Sequence, residues 1–272
     1  MALGAALSWG CGDFIGGRAA RTLHVLTVLA LSQLAGTIAV AVWVVVDGGS
    51  APPLVGVLWA MGAGIAGAIG LAGLYRGMAV GAMGVVAPIS AGAAVVPFLV
   101  GVATGERPGL VRIAGAAIVL VGIVLVSREP GHSGAGRAAG VGLALVAALG
   151  FGLYFVGIDR AAEEGAAWAV LVARGTSSAL ALVVAASVGA ALVVRGRPLA
   201  TVLAVGLLDT GANVLFALAT SRGLISVVAI LASLYPVVTV ALARLVLAER
   251  IGRGQWVGAA AALGGAALIS AG

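Results

Sequence analysis

Nine carboxylates stand in this 272-residue chain, and Asp209 is the one set deepest in apolar sequence. It lies midway along the run 199–219, with Thr210 beside it and Asn213 one helical turn on. Residues at i and i+4 share a helix face, so Asp209 and Asn213 can coordinate a polar solute together, or Asp209 can exchange a proton while Asn213 holds the solute. The plainer alternative is a bond between helices, from Asp209 to Arg174. Arg174 sits well inside its own run, too deep for easy snorkelling, and can meet either a substrate carboxylate or Asp209. Asp13 is either a near-surface partner of Arg18 or a gate or proton site, with Trp9 and glycines 10, 12, 16 and 17 around it permitting close helix approach. Tyr154 and Tyr235 can turn hydroxyls inward, whereas Tyr75 beside Arg76 reads as an interfacial anchor. Pro88, Pro97 and Pro236 each remove a backbone donor and free a carbonyl within a helix. Either they kink a polar path or they only shape the packing.

Other chemistry is excluded by what the chain lacks. All 15 basic residues are Arg, so the phosphate-cradling G-x-x-x-x-G-K-[ST] motif is missing and ATP-driven work by this chain alone with it. Cys11 is the only cysteine, and His24 and His132 have no partner at ligand spacing, so no disulfide, metal site or cofactor is expected beyond a proton. Gly62, Gly64 and Gly67 spell G-x-G-x-x-G, but no strand precedes them, and small-residue helix packing explains them better. An intramembrane enzyme acting on lipids would want clustered His, Ser or paired carboxylates near one interface, and none is present.

The elements that must position these residues follow from composition. Apolar residues make up 62% of the chain and charged residues 9%, with 44 glycines and a mean hydropathy of +1.22. Soluble domains carry about 25% charged residues, so a soluble enzyme or nucleic-acid binder is excluded, as is a disordered chain. The net charge of +6 comes from single Arg residues scattered between apolar runs, as membrane-flanking anchors are. Met1 to Gly17 lacks a basic start, which makes it a first spanning helix rather than a cleaved leader. Ten apolar runs emerge, roughly 2–18, 25–46, 54–75, 80–103, 110–127, 138–158, 167–194, 199–219, 224–247 and 254–271. A spanning helix needs about 20 residues. Stretches apolar on every face, such as Val111–Val126, argue against barrel strands.

The polar break 128–137 divides the chain into halves 1–127 and 138–272 that echo one another. Ala5-Ala6-Leu7, Trp9-Gly10 and Arg18-Ala19-Ala20 reappear as Ala147-Ala148-Leu149, Phe151-Gly152 and Arg160-Ala161-Ala162. Glu106-Arg107 reappears as Glu249-Arg250, and Gly115 and Gly122 as Gly258 and Gly265. Five helices per half is an odd number, which turns the two copies over relative to each other. Inverted repeats are typical of secondary transporters.

Ala6-Leu7-Ser8-Trp9-Gly10, Asp13-Phe14 and Gly16-Gly17 resemble the opening of EamA-type members of the drug/metabolite transporter superfamily. Pro88, Pro97 and Glu106-Arg107, and then Pro236 and Glu249-Arg250, resemble the same family, so the likeness covers nearly the whole chain. It implies an all-α polytopic membrane protein of ten helices in two inverted five-helix repeats around a central cavity. It implies alternating-access movement of a small metabolite, amino-acid-like or otherwise polar or amphipathic, with export as the expected direction. The expected setting is the plasma membrane, as a monomer or homodimer, with no nucleic-acid partner. A passive channel or lipid-moving protein is the rival. Family members often carry an Arg early in the second helix of each half. Arg174 fills that place in the second half, and Ser32-Gln33 stands in the first. Arg-rich loops follow the odd-numbered runs and put both termini outside, whereas the resemblance puts both inside. An even helix number, with both termini on one side, is common to both.

Overall fold

In hydrocarbon each backbone N–H and C=O must be bonded within its own segment. The computed structural model describes residues 1–47, 51–81, 83–126, 135–247 and 252–271, and among them every regular element is a helix. In chain order these are α1 (Ala2–Ala19), α2 (Val25–Asp47), α3 (Leu54–Val80), α4 (Met83–Ser90), α5 (Val95–Ala103) and α6 (Leu110–Val126). The second half supplies α7 (Ala135–Ala162), α8 (Ala166–Ser187), α9 (Arg197–Thr220), α10 (Ile225–Ala232), α11 (Tyr235–Leu247) and α12 (Arg253–Ala271). Six stretches are long and apolar enough to cross a membrane: Val25–Val46, Leu54–Val80, Ala139–Ala162, Ala166–Ser187, Arg197–Thr220 and Ile225–Val246. Shorter apolar helices join them at Ala91–Ala103, Leu110–Leu125 and Trp256–Ile269. The chain is an all-helical, multi-pass membrane protein.

Four sequence expectations need correcting. The runs 80–103 and 224–247 are each interrupted, by a tighter 3₁₀ turn at Ala91–Ala94 and by a break at 233–234. Pro97 and Pro236 explain both, because a proline ring clashes with the carbonyl four residues back, here at Ala93 and Ala232. Both prolines thus sit in the first turn of a new helix rather than kinking a continuous one, while Pro88 lies in α4 and its side chain is outside the described residues. The run 167–194 stops being helical at Ser187, where Gly189 adopts φ +67, a left-handed conformation that glycine takes without steric cost. Helix α3 continues to Val80, so Tyr75 is fully buried and only Arg76 is exposed; no interfacial anchor forms there. Of the expected linker 128–137, residues 128–134 lie outside the described residues and Ala135 already opens α7. Glu249-Arg250 also lies outside them.

Packing divides the interior into two apolar clusters. One gathers Ala5 and Ala6 of α1, Ala60 of α3, Ile158 of α7, Val170 of α8 and Phe216 of α9. The other gathers Phe14 of α1, Leu74 of α3, Ala144 of α7, Ala185 of α8 and Val202 of α9. Each cluster therefore takes the start of α1, α3 and α8 with the end of α7 and α9, or the reverse. Helices α1 and α7 run antiparallel, and so do α3 and α9. Helices α6 and α12 cross at glycines: a Cβ on Gly115 would lie 2.8 Å from the Gly265 carbonyl, and one on Gly265 would lie 2.6 Å from the Gly115 carbonyl. Such close approach gives helices in lipid their dispersion contacts.

A buried-end contact locks the α5–α6 connection to α10. The Glu106 carboxylate accepts hydrogen bonds from the backbone N–H groups of Ile225 (2.9 Å) and Ser226 (3.2 Å). It satisfies donors that a helix start leaves open and sits at the positive end of the dipole. Glu106→Ala is expected to cost about 1–2 kcal/mol, read as a lower thermal midpoint of the purified protein, with Glu106→Gln retaining part of the loss.

Candidate functional site

Between the two clusters lies a cavity lined by residues of both. Five of its lining residues are aromatic: Trp9, Phe151, Tyr154, Phe155 and Tyr235. The polar ones are Asp13, Gln33, Arg174, Ser177, Asp209 and Asn213. Helices α1, α2, α3, α7, α8, α9 and α11 all contribute, so the wall draws on both halves of the chain.

Helix α1 is fastened on either side of Trp9. Ser8 Oγ donates to the Leu208 carbonyl at 2.7 Å, tying α1 to α9, and Thr239 Oγ1 donates to the Gly10 carbonyl at 3.2 Å, tying it to α11. Trp9 Nε1 then donates to Asp209 Oδ1 at 3.0 Å. The other oxygen of Asp209 meets Arg174 Nη2 at 2.6 Å, and Arg174 Nη1 donates to Gln33 Oε1. The side chain of Arg174 is 6% exposed and that of Asp209 15%. Each charge removed from water is thus matched by an opposite charge and by hydrogen bonds, which buried ions require. The Trp9 ring packs tilted against Phe155 (5.6 Å) and Phe216 (5.7 Å), and Phe155 stacks on Phe216 at 4.6 Å. A single network therefore sets Trp9, Asp209, Arg174 and Gln33.

Asp13 stands apart from it. The residue is 6% exposed, on the cavity wall, and no hydrogen bond or ion pair reaches its carboxylate among the described residues. Arg18, its alternative partner from sequence, is exposed to the outside. Among the described residues, Asp209 of α9, Tyr75 of α3 and Tyr235 of α11 are the titratable side chains within its electrostatic reach.

The sequence candidates converge. Trp9, Asp13, Tyr154, Arg174, Asp209, Asn213 and Tyr235 all line this cavity, with Asn213 buried a turn beyond Asp209. Tyr235 is held by a 2.6 Å hydrogen bond between its hydroxyl and Ser90. Pro97 and Pro236 are not among the lining residues. Gly64 and Gly67 of the false dinucleotide motif line the cavity as small wall positions, and a Cβ on Gly67 would sit 3.0 Å from the Tyr154 ring. Gln33 is legible only as part of the Ser32-Gln33 pair standing where family members carry an Arg, and the structure sets it against Arg174. Phe155 and Ser177 carry no sequence signal of their own.

The fold defines a multi-pass membrane protein with a cavity between its helices. The EamA-like transporter family model matches residues 1–128 and again 138–271, and the chain belongs to that family. Members of that family are transporters rather than enzymes. No curated protein sequence matches the chain. Among 26 matching solved chains, one described simply as "Crystal structure of protein" superposes with a TM-score of 0.75 at 18% identity, over 98% of this chain and 96% of that one. At that identity the likeness concerns the fold alone.

Proposed function

We propose that this protein is a secondary carrier that moves a small organic solute across the plasma membrane by alternating access, with net export. One observation carries the reading: a buried polar layer lies between two apolar clusters drawn from opposite ends of the same helices. Opening one cluster at a time would expose the layer to one side only. In this reading α4 with α5, and α10 with α11, each count as one broken span. The ten spans then form two inverted repeats, 1–127 and 138–272. The antiparallel course of α1 and α7 supports this. So do Gln33 with Arg174 and Thr37 with Ser178 (2.7 Å), which bring α2 and α8, the second helix of each half, together where a two-fold axis would pass.

Coupling to a proton is part of the proposal, and the unpartnered Asp13 is the group that would carry it. Asp209, the other proton site the sequence offers, is engaged by Arg174 and Trp9. Purified protein in sealed vesicles, screened against labelled metabolites with and without a pH gradient, tests the whole reading. Saturable, gradient-coupled flux is expected. Flux that rises linearly with concentration would establish a channel instead, and chemical conversion of vesicle lipid would establish an enzyme.

A further inference from the structure

We infer that the cavity selects organic cations, namely protonated amines carried on an aromatic or apolar body, over amino acids and anions. The inference rests on the carrier reading above and narrows its substrate class.

Charge decides the sign. Among the described residues two carboxylates and one guanidinium line the cavity. Arg174 is committed to Asp209 and Gln33, so no guanidinium is free to receive a substrate carboxylate. The Asp13 carboxylate has no such partner. A buried charge without a counter-charge is unfavourable, and a ligand ammonium supplies what the protein omits. An amino acid would bring its own carboxylate beside two acidic side chains, with no cation free to receive it.

Shape and wall chemistry decide the body. The rings of Trp9, Phe151, Tyr154, Phe155 and Tyr235 surround the space. Aromatic faces attract a cation through their quadrupole and bury an apolar ring beside it. Trp9 is prevented from turning away by its bond to Asp209. Asn213 and Ser177 remain on the wall to accept from additional ammonium hydrogens.

Three probes share an indole body and differ in charge: tryptamine, tryptophan and indole-3-acetate. Equilibrium binding of labelled tryptamine to the full chain in lipid nanodiscs, at neutral pH, is to be competed by each. Unlabelled tryptamine is expected to compete at concentrations lower than tryptophan by about tenfold or more, with indole-3-acetate weaker still. Asp13→Asn is expected to weaken tryptamine by at least about tenfold, and Asp13→Glu to keep the order of the three probes. Equal or tighter binding of tryptophan or the acetate overturns the inference, as does unchanged tryptamine binding in Asp13→Asn or no displaceable tryptamine binding at all. If Asp13→Asn does not assemble, the order of the three probes on the unaltered protein still decides. Binding without flux would remove the carrier reading and leave the inference; saturable flux of solutes without a preference for cations would do the opposite.

Discussion

Arg174→Gln is expected to destabilise the protein by about 3–5 kcal/mol, because it strands the Asp209 carboxylate inside the bundle without its cation. Asp209→Asn is expected to cost a similar amount for the mirror reason: the Arg174 guanidinium keeps Gln33 but loses its counter-charge, 2.6 Å away. The asparagine oxygen can still accept from Trp9 Nε1, so the loss reports the ion pair rather than the position of the indole. The double variant Arg174→Gln/Asp209→Asn removes both charges at once. It is expected to be more stable than the summed single effects allow, by up to about 3 kcal/mol. Unfolding of the three variants in mild detergent, followed as a double-mutant cycle, measures this. Strictly additive losses would mean that the two residues act independently and that the network described above does not hold the site together.

Asp13→Asn is expected to behave in the opposite way, with little change in stability and a large change in function. The carboxylate has no hydrogen bond or ion pair among the described residues, so an amide of the same size loses no partner there. Accumulation driven by a pH gradient is expected to fall by at least about tenfold, since a group that cannot exchange a proton cannot couple one. Exchange of labelled for unlabelled solute across the vesicle membrane is expected to survive at raised solute concentration. Accumulation at the level of the unaltered protein would remove Asp13 from the coupling step. Asp209→Asn, read in the same assay, separates the free carboxylate from the paired one.

Sequence alone was strong on some levels and weak on others. The ten apolar runs, most of the ionisable and aromatic residues of the cavity wall and the likeness between the halves are visible without coordinates. Each is a local or periodic property: Asp13, Arg174 and Asp209 stand out because ionisable groups are rare in apolar runs, and Ser32-Gln33 stands in the first half where Arg174 stands in the second. Helix ends were less legible. The stop at Ser187 depends on Gly189 adopting a left-handed conformation inside an apolar stretch, and the breaks before Pro97 and Pro236 depend on where one carbonyl has to give way. Tyr75 was misplaced because Arg76 looked like the end of a helix that runs on to Val80.

Composition and spacing by themselves determined that this chain is helical and lives in a bilayer, because 9% charged residues cannot cover a soluble surface and an apolar run must bond its own backbone. They determined as well which few polar side chains had to be accounted for. Which carboxylate is paired and which is free was decided only by the tertiary structure. Asp13 and Asp209 are both aspartates in apolar runs, and their sequence neighbours do not reveal that Arg174 and Trp9 converge on one of them from different helices. A pairing of that kind depends on the separation and rotation of three helices. Those are set by glycine contacts and apolar packing across hundreds of residues, so the charge state of the cavity is a property of the assembled bundle.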